Sequence, residues 1–106
     1  MAITTDGAIR KAQDFLAALT RDGIDISEAY VFGSTIHGSQ NEDSDIDVAV
    51  ISKNFSGFRY YDIKRISRLR RAVDLRLEIH PFAYDDICSS PPQFYLEIKK
   101  TGRRIR

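Results

Sequence analysis

The sequence predicts a single α+β domain, a small mixed β-sheet flanked by helices. Two pattern observations carry that expectation. Apolar residues recur at helical spacing in three long stretches. Between the stretches lie apolar or alternating runs of strand length, bounded by turn-forming residues. Length supplies the third observation: 106 residues sit at the mode of domain sizes and suffice for one core. No internal repeat, low-complexity tract or linker divides the chain.

Taken in order, Ala8, Ile9, Ala12, Phe15, Leu16 and Leu19 share one face of a helix over Gly7 to Leu19. Asp6 is its expected N-cap, and Gly23 lies just past a last turn carrying Arg21. Ile24 to Glu28 reads as a connection into a first strand at Ala29 to Phe32, and Val48 to Ile51 as a second strand. Lys53 to Gly57 is a Gly-containing loop and a candidate for motion near the site. Phe58 to Val73 reads as a helix burying Tyr61, Ile63, Ile66, Leu69 and Val73. Its other face carries Arg59, Lys64, Arg65, Arg68, Arg70 and Arg71, ordinarily a solvated face, with the alternative that one or two reach phosphates or an acidic partner. Leu75 to Phe82 alternates as a third strand, with Leu75, Leu77 and Ile79 on one face and Arg76, Glu78 and His80 on the other. Pro81 is expected to end regular pairing there, and His80 reads as a hydrogen-bonded structural group. Tyr84 to Cys88 forms a short helix before the breaker Ser89-Ser90-Pro91-Pro92. A last helix, Gln93 to Lys100, is closed by Gly102, and Arg103 to Arg106 is a basic, frayed end.

Composition excludes several classes. Hydrophobic residues at 42% and charged residues at 29% rule out wholesale disorder. A net charge of +1 argues neither for nor against nucleic acid. The single cysteine, Cys88, permits neither an intrachain disulfide nor a multi-cysteine metal site, and reads as a packing residue in a cytoplasmic protein. No apolar run approaches membrane-spanning length, and the N-terminus is too polar for a signal peptide.

The chemistry concentrates in Tyr30 to Ile51. An apolar run breaks at Gly33-Ser34, polar turn-forming residues follow from His37 to Ser44, and Asp45-Ile46-Asp47 leads into Val48 to Ile51. Strand alternation puts Asp45 and Asp47 on one face. Two crowded carboxylates repel unless a cation neutralises them, and Mg²⁺ takes carboxylate oxygens together with substrate phosphates. A strand ending in Gly-Ser ahead of a short helix at Thr35 to His37 aims N–H groups and a hydroxyl at a phosphate. Together these make a metal-dependent nucleotide site. A merely solvated hairpin connection would not explain an aspartate pair running straight into an apolar strand. An EF-hand loop opening at Asp43, Asp45 and Asp47 is excluded by Val48 at its sixth position and Asn54 at its twelfth. No Gly-Lys-Ser/Thr occurs, which excludes a Walker-type P-loop.

Gly33-Ser34, ten intervening residues, then Asp45-x-Asp47 resembles the signature of the minimal nucleotidyltransferases, small members of the DNA polymerase β-type nucleotidyltransferase superfamily. Gly38 and Ser44 to Val48 also fall where that family has them, and the likeness extends over nearly the whole chain. The resemblance implies the nucleotidyltransferase fold and transfer of AMP from ATP to a hydroxyl of a protein or other acceptor. It implies Asp45 and Asp47 as ligands of one or two Mg²⁺ ions, with Gly33 and Ser34 holding phosphate oxygens. A third acid is implied on the following strand. Glu78 is favoured there, as catalytic group and metal ligand, over Asp74, which has the same parity but lies at the strand's start. Whichever acid is left over is expected to pair with a neighbouring arginine such as Arg76.

Small members of the family are often paired with a helical HEPN-type partner in toxin–antitoxin systems, so the resemblance makes such a partner an expectation. Homo-oligomerisation is left open, and no membrane association is expected. Two other classes compete. One is a non-catalytic nucleotide-binding module that neutralises a partner by contact. The other, a nucleic-acid binder using the basic helix, is disfavoured by near-neutral charge and the lack of a stacking platform.

Overall fold

A computed structural model describes residues 4–37 and 45–106, so Gly38 and Ser44 of the motif lie outside the described residues. The element order is α1 (Thr5–Arg21), β1 (Ile26–Phe32), α2 (Ser34–His37), β2 (Ile46–Ser52), α3 (Arg59–Val73), β3 (Leu77–Ala83), α4 (Tyr84–Ser89), α5 (Gln93–Thr101) and β4 (Arg103–Arg104). The sheet order is β3-β2-β1-β4. β1 runs antiparallel to both β2 and β4, whereas β2 and β3 are parallel. A parallel neighbour cannot be reached by a tight turn, and α3 supplies the crossover. The expected α+β domain with a mixed sheet is what forms.

Alternation gives the sheet two unlike faces. Val31 of β1, Ile46, Val48 and Val50 of β2, and Leu77 and Ile79 of β3 pack with Ala8, Ala12, Phe15, Leu16 and Leu19 of α1 and Ile66 of α3. The opposite face is covered only in part. Tyr30, Ala49 and Ile51 pack beneath Tyr95 and Ile98 of α5. β2, central and buried on both faces, therefore has the unbroken apolar run Val48 to Ile51. Beyond the reach of α5, the second face carries Asp47 and Glu78.

Glu28 fastens α5 to β1. Its Oε1 accepts the hydroxyls of Tyr30 at 2.6 Å and Tyr95 at 2.8 Å. Burial raises the Glu28 carboxyl, but the Tyr30 and Tyr95 hydroxyl donors, with the positive charges of Arg104 and Lys99, outweigh it and hold it below its ordinary value. Burial and the Glu28 acceptor push the Tyr95 phenol well up. A lowered carboxyl stabilises the fold above its ordinary value of 4.5 and loses that contribution as pH falls. The raised phenol stabilises below its ordinary value of 10.0 and loses that as pH rises. The difference in melting temperature between the parent and Glu28→Gln should be widest at neutral pH and collapse in acid. A difference independent of pH would show that Glu28 acts by packing alone.

Several expectations are corrected. α1 begins earlier, capped by the Thr4 hydroxyl, which accepts from Gly7 N at 3.0 Å, so Asp6 sits inside the first turn. β1 extends back to Ile26, because Ile26 and Glu28 pair with β2 around a bulge. Leu75 precedes β3 and is exposed. Pro81 does not end pairing: β3 continues to Ala83 opposite Ser52. β3 is an edge strand, where a missing N–H costs no ladder bond on the open side. Gly102 closes α5 with φ −86°, not in the left-handed region. It is needed for close approach, since a Cβ would lie 2.8 Å from Ile98 O and 3.0 Å from Val31 O. The basic end is not frayed, as Arg103 and Arg104 pair with Val31 and Tyr30. Tyr61 and Cys88 are exposed rather than packed.

The loop after β2 is also tied down. Asp62, 4% exposed, accepts Ser56 N at 2.8 Å and Ser56 Oγ at 2.9 Å on Oδ1, and Gly57 N at 3.0 Å on Oδ2. Arg65 Nη1 adds a bond to Asn54 O at 2.8 Å. Asp62→Ala should cost about 1–3 kcal/mol in denaturant unfolding, because donors lose their acceptor. Unchanged stability would return the loop to the mobile class. No helix among the described residues is long and apolar enough to cross a membrane.

Candidate active site

β1 delivers the chain to Gly33, where φ is +80°. The turn is closed by Ile36 N donating to Gly33 O at 3.1 Å, and Ser34 begins α2. Antiparallel pairing sets Phe32 opposite Asp47, which brings Gly33 against that side chain. A Cβ at Gly33 would stand 2.5 Å from Asp47 Oδ2. Two constraints thus meet at one residue: a left-handed backbone and a carboxylate filling the space of a side chain.

The parallel pairing of β2 and β3 sets Glu78 directly opposite Asp47. Neighbouring strands lie about 4.8 Å apart, and paired residues point to the same face, so the two carboxylates are lateral neighbours. Asp45 is exposed immediately before β2, and by alternation shares their face. Among the described residues, no three His, Cys, Asp or Glu side chains already converge as a metal cage. The arrangement is an open carboxylate pair with a third acid at its rim. That donor set suits a hard cation that keeps part of its shell for water and phosphate.

Asp74 is engaged elsewhere. Its Oδ1 accepts Arg76 N at 2.8 Å and Arg76 Nε at 3.1 Å, and its Oδ2 accepts Arg76 Nη2 at 3.0 Å. This fork of charged donors holds the Asp74 carboxyl below its usual value. Arg70 donates to Leu75 O and Leu77 O, both at 3.1 Å, tying the end of α3 to the start of β3. It lines a cleft of about 230 Å³ that also contains Ser67 and Glu78. Of the basic face, Arg65, Arg70 and Arg71 all bond to neighbouring protein oxygens. At the far end of α3, Phe58, Tyr60 and Tyr61 are exposed and pack edge to face, an aromatic cluster that composition did not reveal.

His80 is the residue sequence reasoning left aside. Its Nε2 lies 3.3 Å from Asp47 Oδ1, and its ring packs on Phe32 at 5.1 Å and Phe94 at 5.5 Å between centroids. The signal was present in part, since alternation already put His80 on the face of Glu78. What was missing was the register that makes this face continuous with Asp47.

The family described as "Polymerase beta, Nucleotidyltransferase" matches residues 14–106. The fold is similar to the crystal structure of a candidate nucleotidyltransferase from Sulfolobus solfataricus, with a TM-score of 0.62 and 14% identity, covering 95% of this chain and 79% of that one. No curated protein matches the chain.

Proposed function

Since the chain belongs to the polymerase β nucleotidyltransferase family, whose general activity is nucleotidyl transfer, we propose that it is a Mg²⁺-dependent enzyme moving AMP from ATP to an acceptor hydroxyl. The observation that carries this reading is the lateral pairing of Asp47 with Glu78, beside a glycine whose missing side chain makes room for the Asp47 carboxylate. Asp45, Asp47 and Glu78 are the residues that would hold Mg²⁺, which when bound neutralises triphosphate charge and polarises the reacting phosphoryl group. Gly33 lets the backbone approach a phosphate, and the Ser34 hydroxyl donates to a β- or γ-phosphate oxygen. Glu78, exposed beside Asp47, is also able to take the proton of the attacking hydroxyl. His80 keeps the Asp47 carboxylate oriented.

The acceptor is a protein or another hydroxyl-bearing molecule, and the family resemblance adds a helical HEPN-type toxin partner, which makes an antitoxin role part of the proposal. A second reading, contact neutralisation by a nucleotide-binding module without turnover, draws support from the absence of a preformed three-ligand cage among the described residues. Incubation with Mg²⁺ and α-labelled ATP, with and without lysate of the source, separates the two. Label transferred to a macromolecule and lost in Asp45→Asn/Asp47→Asn supports the enzyme. Binding of Mg²⁺–ATP without transfer would favour the module.

A further inference from the structure

Of the aromatic wall beside Asp47, His80 bonds to that carboxylate, whereas Phe94 and Phe82 are left without a role in phosphate or metal handling. Phe94, at the start of α5, is 48% exposed although its ring meets Phe32 at 5.7 Å, His80 at 5.5 Å and Phe82 at 6.2 Å between centroids. A large aromatic ring anchored on three sides and left half open offers a preorganised flat surface. That surface lines a cleft of about 310 Å³ between the end of β3, α4 and the starts of α3 and α5. Pro81, Phe82 and Pro92 add apolar walls. Among the described residues, Arg59 and Asp86 are the charged groups that line it, one donor and one acceptor.

The cleft lies farther along β3 from the carboxylate site. Glu78, His80 and Phe82 are successive same-face positions of β3, about 6.6 Å apart per step, so the cleft begins about 13 Å from Glu78. His80 bridges the interval, touching Asp47 on one side and Phe94 on the other. A ligand with phosphates at one end and a flat ring at the other spans that distance.

We infer that this cleft is a nucleobase subsite: the base lies on Phe94, and Asp86 accepts from its exocyclic amine while Arg59 donates to its ring nitrogens. The inference rests on the nucleotide reading above and adds a selectivity to it. Asp86 has only acceptor oxygens when ionised, so it favours bases carrying an amine at that edge and disfavours those presenting a carbonyl there. Base stacking on a single aromatic face strengthens binding in single-strand-binding proteins, and losing it should weaken binding about tenfold or more.

The test measures equilibrium binding of Mg²⁺–ATP, Mg²⁺–ITP and Mg²⁺–tripolyphosphate to the full chain, the parent against Phe94→Leu and Asp86→Asn. Leucine keeps the packing on Phe32 and His80 but removes the ring face, and melting temperatures verify folding. Phe94→Leu should bind ATP about tenfold more weakly with tripolyphosphate unchanged, and Asp86→Asn should narrow the preference for ATP over ITP. Parent-like ATP affinity in Phe94→Leu, with tripolyphosphate still bound, would overturn the subsite and leave the nucleotide reading standing. Failure of the parent to bind either ATP or tripolyphosphate would overturn both. An unaltered ATP-to-ITP ratio in Asp86→Asn would remove Asp86 from base recognition.

Discussion

Asp47→Asn should lose Mg²⁺-dependent nucleotidyl transfer by about 10³-fold or more while melting close to the parent. The size follows from the several kcal/mol of charge stabilisation that a carboxylate-held cation supplies, at about 1.4 kcal/mol per factor of ten. The fold should survive because Asp47 lies outside both apolar clusters and its one described partner, His80, can bond the amide oxygen instead. Glu78→Gln should fall with it, since it is the lateral neighbour of Asp47. Asp74→Asn should keep activity and lose only part of its bond network with Arg76. Transfer assays with labelled ATP, beside thermal melts, check all three. Parent-like turnover in Asp47→Asn would remove the metal-site hypothesis. Loss in Asp74→Asn with activity retained in Glu78→Gln would move the third acid to the start of the strand.

The second large effect is expected at Gly33. Placing an alanine at φ +80° costs roughly 1–2 kcal/mol of backbone strain, a fall of about 4–8 °C per kcal/mol in a domain of this size. The added methyl also claims the position of Asp47 Oδ2, 2.5 Å away. A carboxylate at the end of a side chain can swing aside, so the methyl adds little to the stability loss but moves the metal-binding oxygen. Activity should therefore fall well beyond what the change in melting temperature explains, as measured at a temperature where Gly33→Ala remains folded. Equal proportional losses in both would mean that Gly33 serves the turn alone. A gain in stability would contradict the positive φ itself.

Much of this was legible along the chain because its signals are local. Helix faces follow from the spacing of Ala8, Ala12, Phe15 and Leu19, and the strand character of Val48 to Ile51 from its unbroken apolar run. Gly33-Ser34 and Asp45-x-Asp47 mark the site because each is a short-range pattern with its own chemistry. Boundaries were less legible where a partner strand decides them. Ile26 joins β1 because Ser52 pairs with it, Arg103 and Arg104 are ordered by β1, and Pro81 is tolerated because β3 is the edge of the sheet that the described residues form. Gly102 caps α5 as its position implied, but only the fold shows the two carbonyl oxygens pressing from Ile98 and Val31 that exclude a side chain there.

The sequence by itself determined the fold class, the central strand and the acid pair, since periodicity and residue chemistry are properties of neighbours in the chain. Only the tertiary structure decided which later groups stand beside that pair. Register between β2 and β3 sets Glu78 opposite Asp47, and the Arg76 fork holds Asp74. The docking of α5 turns His80, Phe82 and Phe94 into one aromatic wall. A one-residue slip of β3 would turn Glu78 and His80 into the opposite core, and no local pattern records that register.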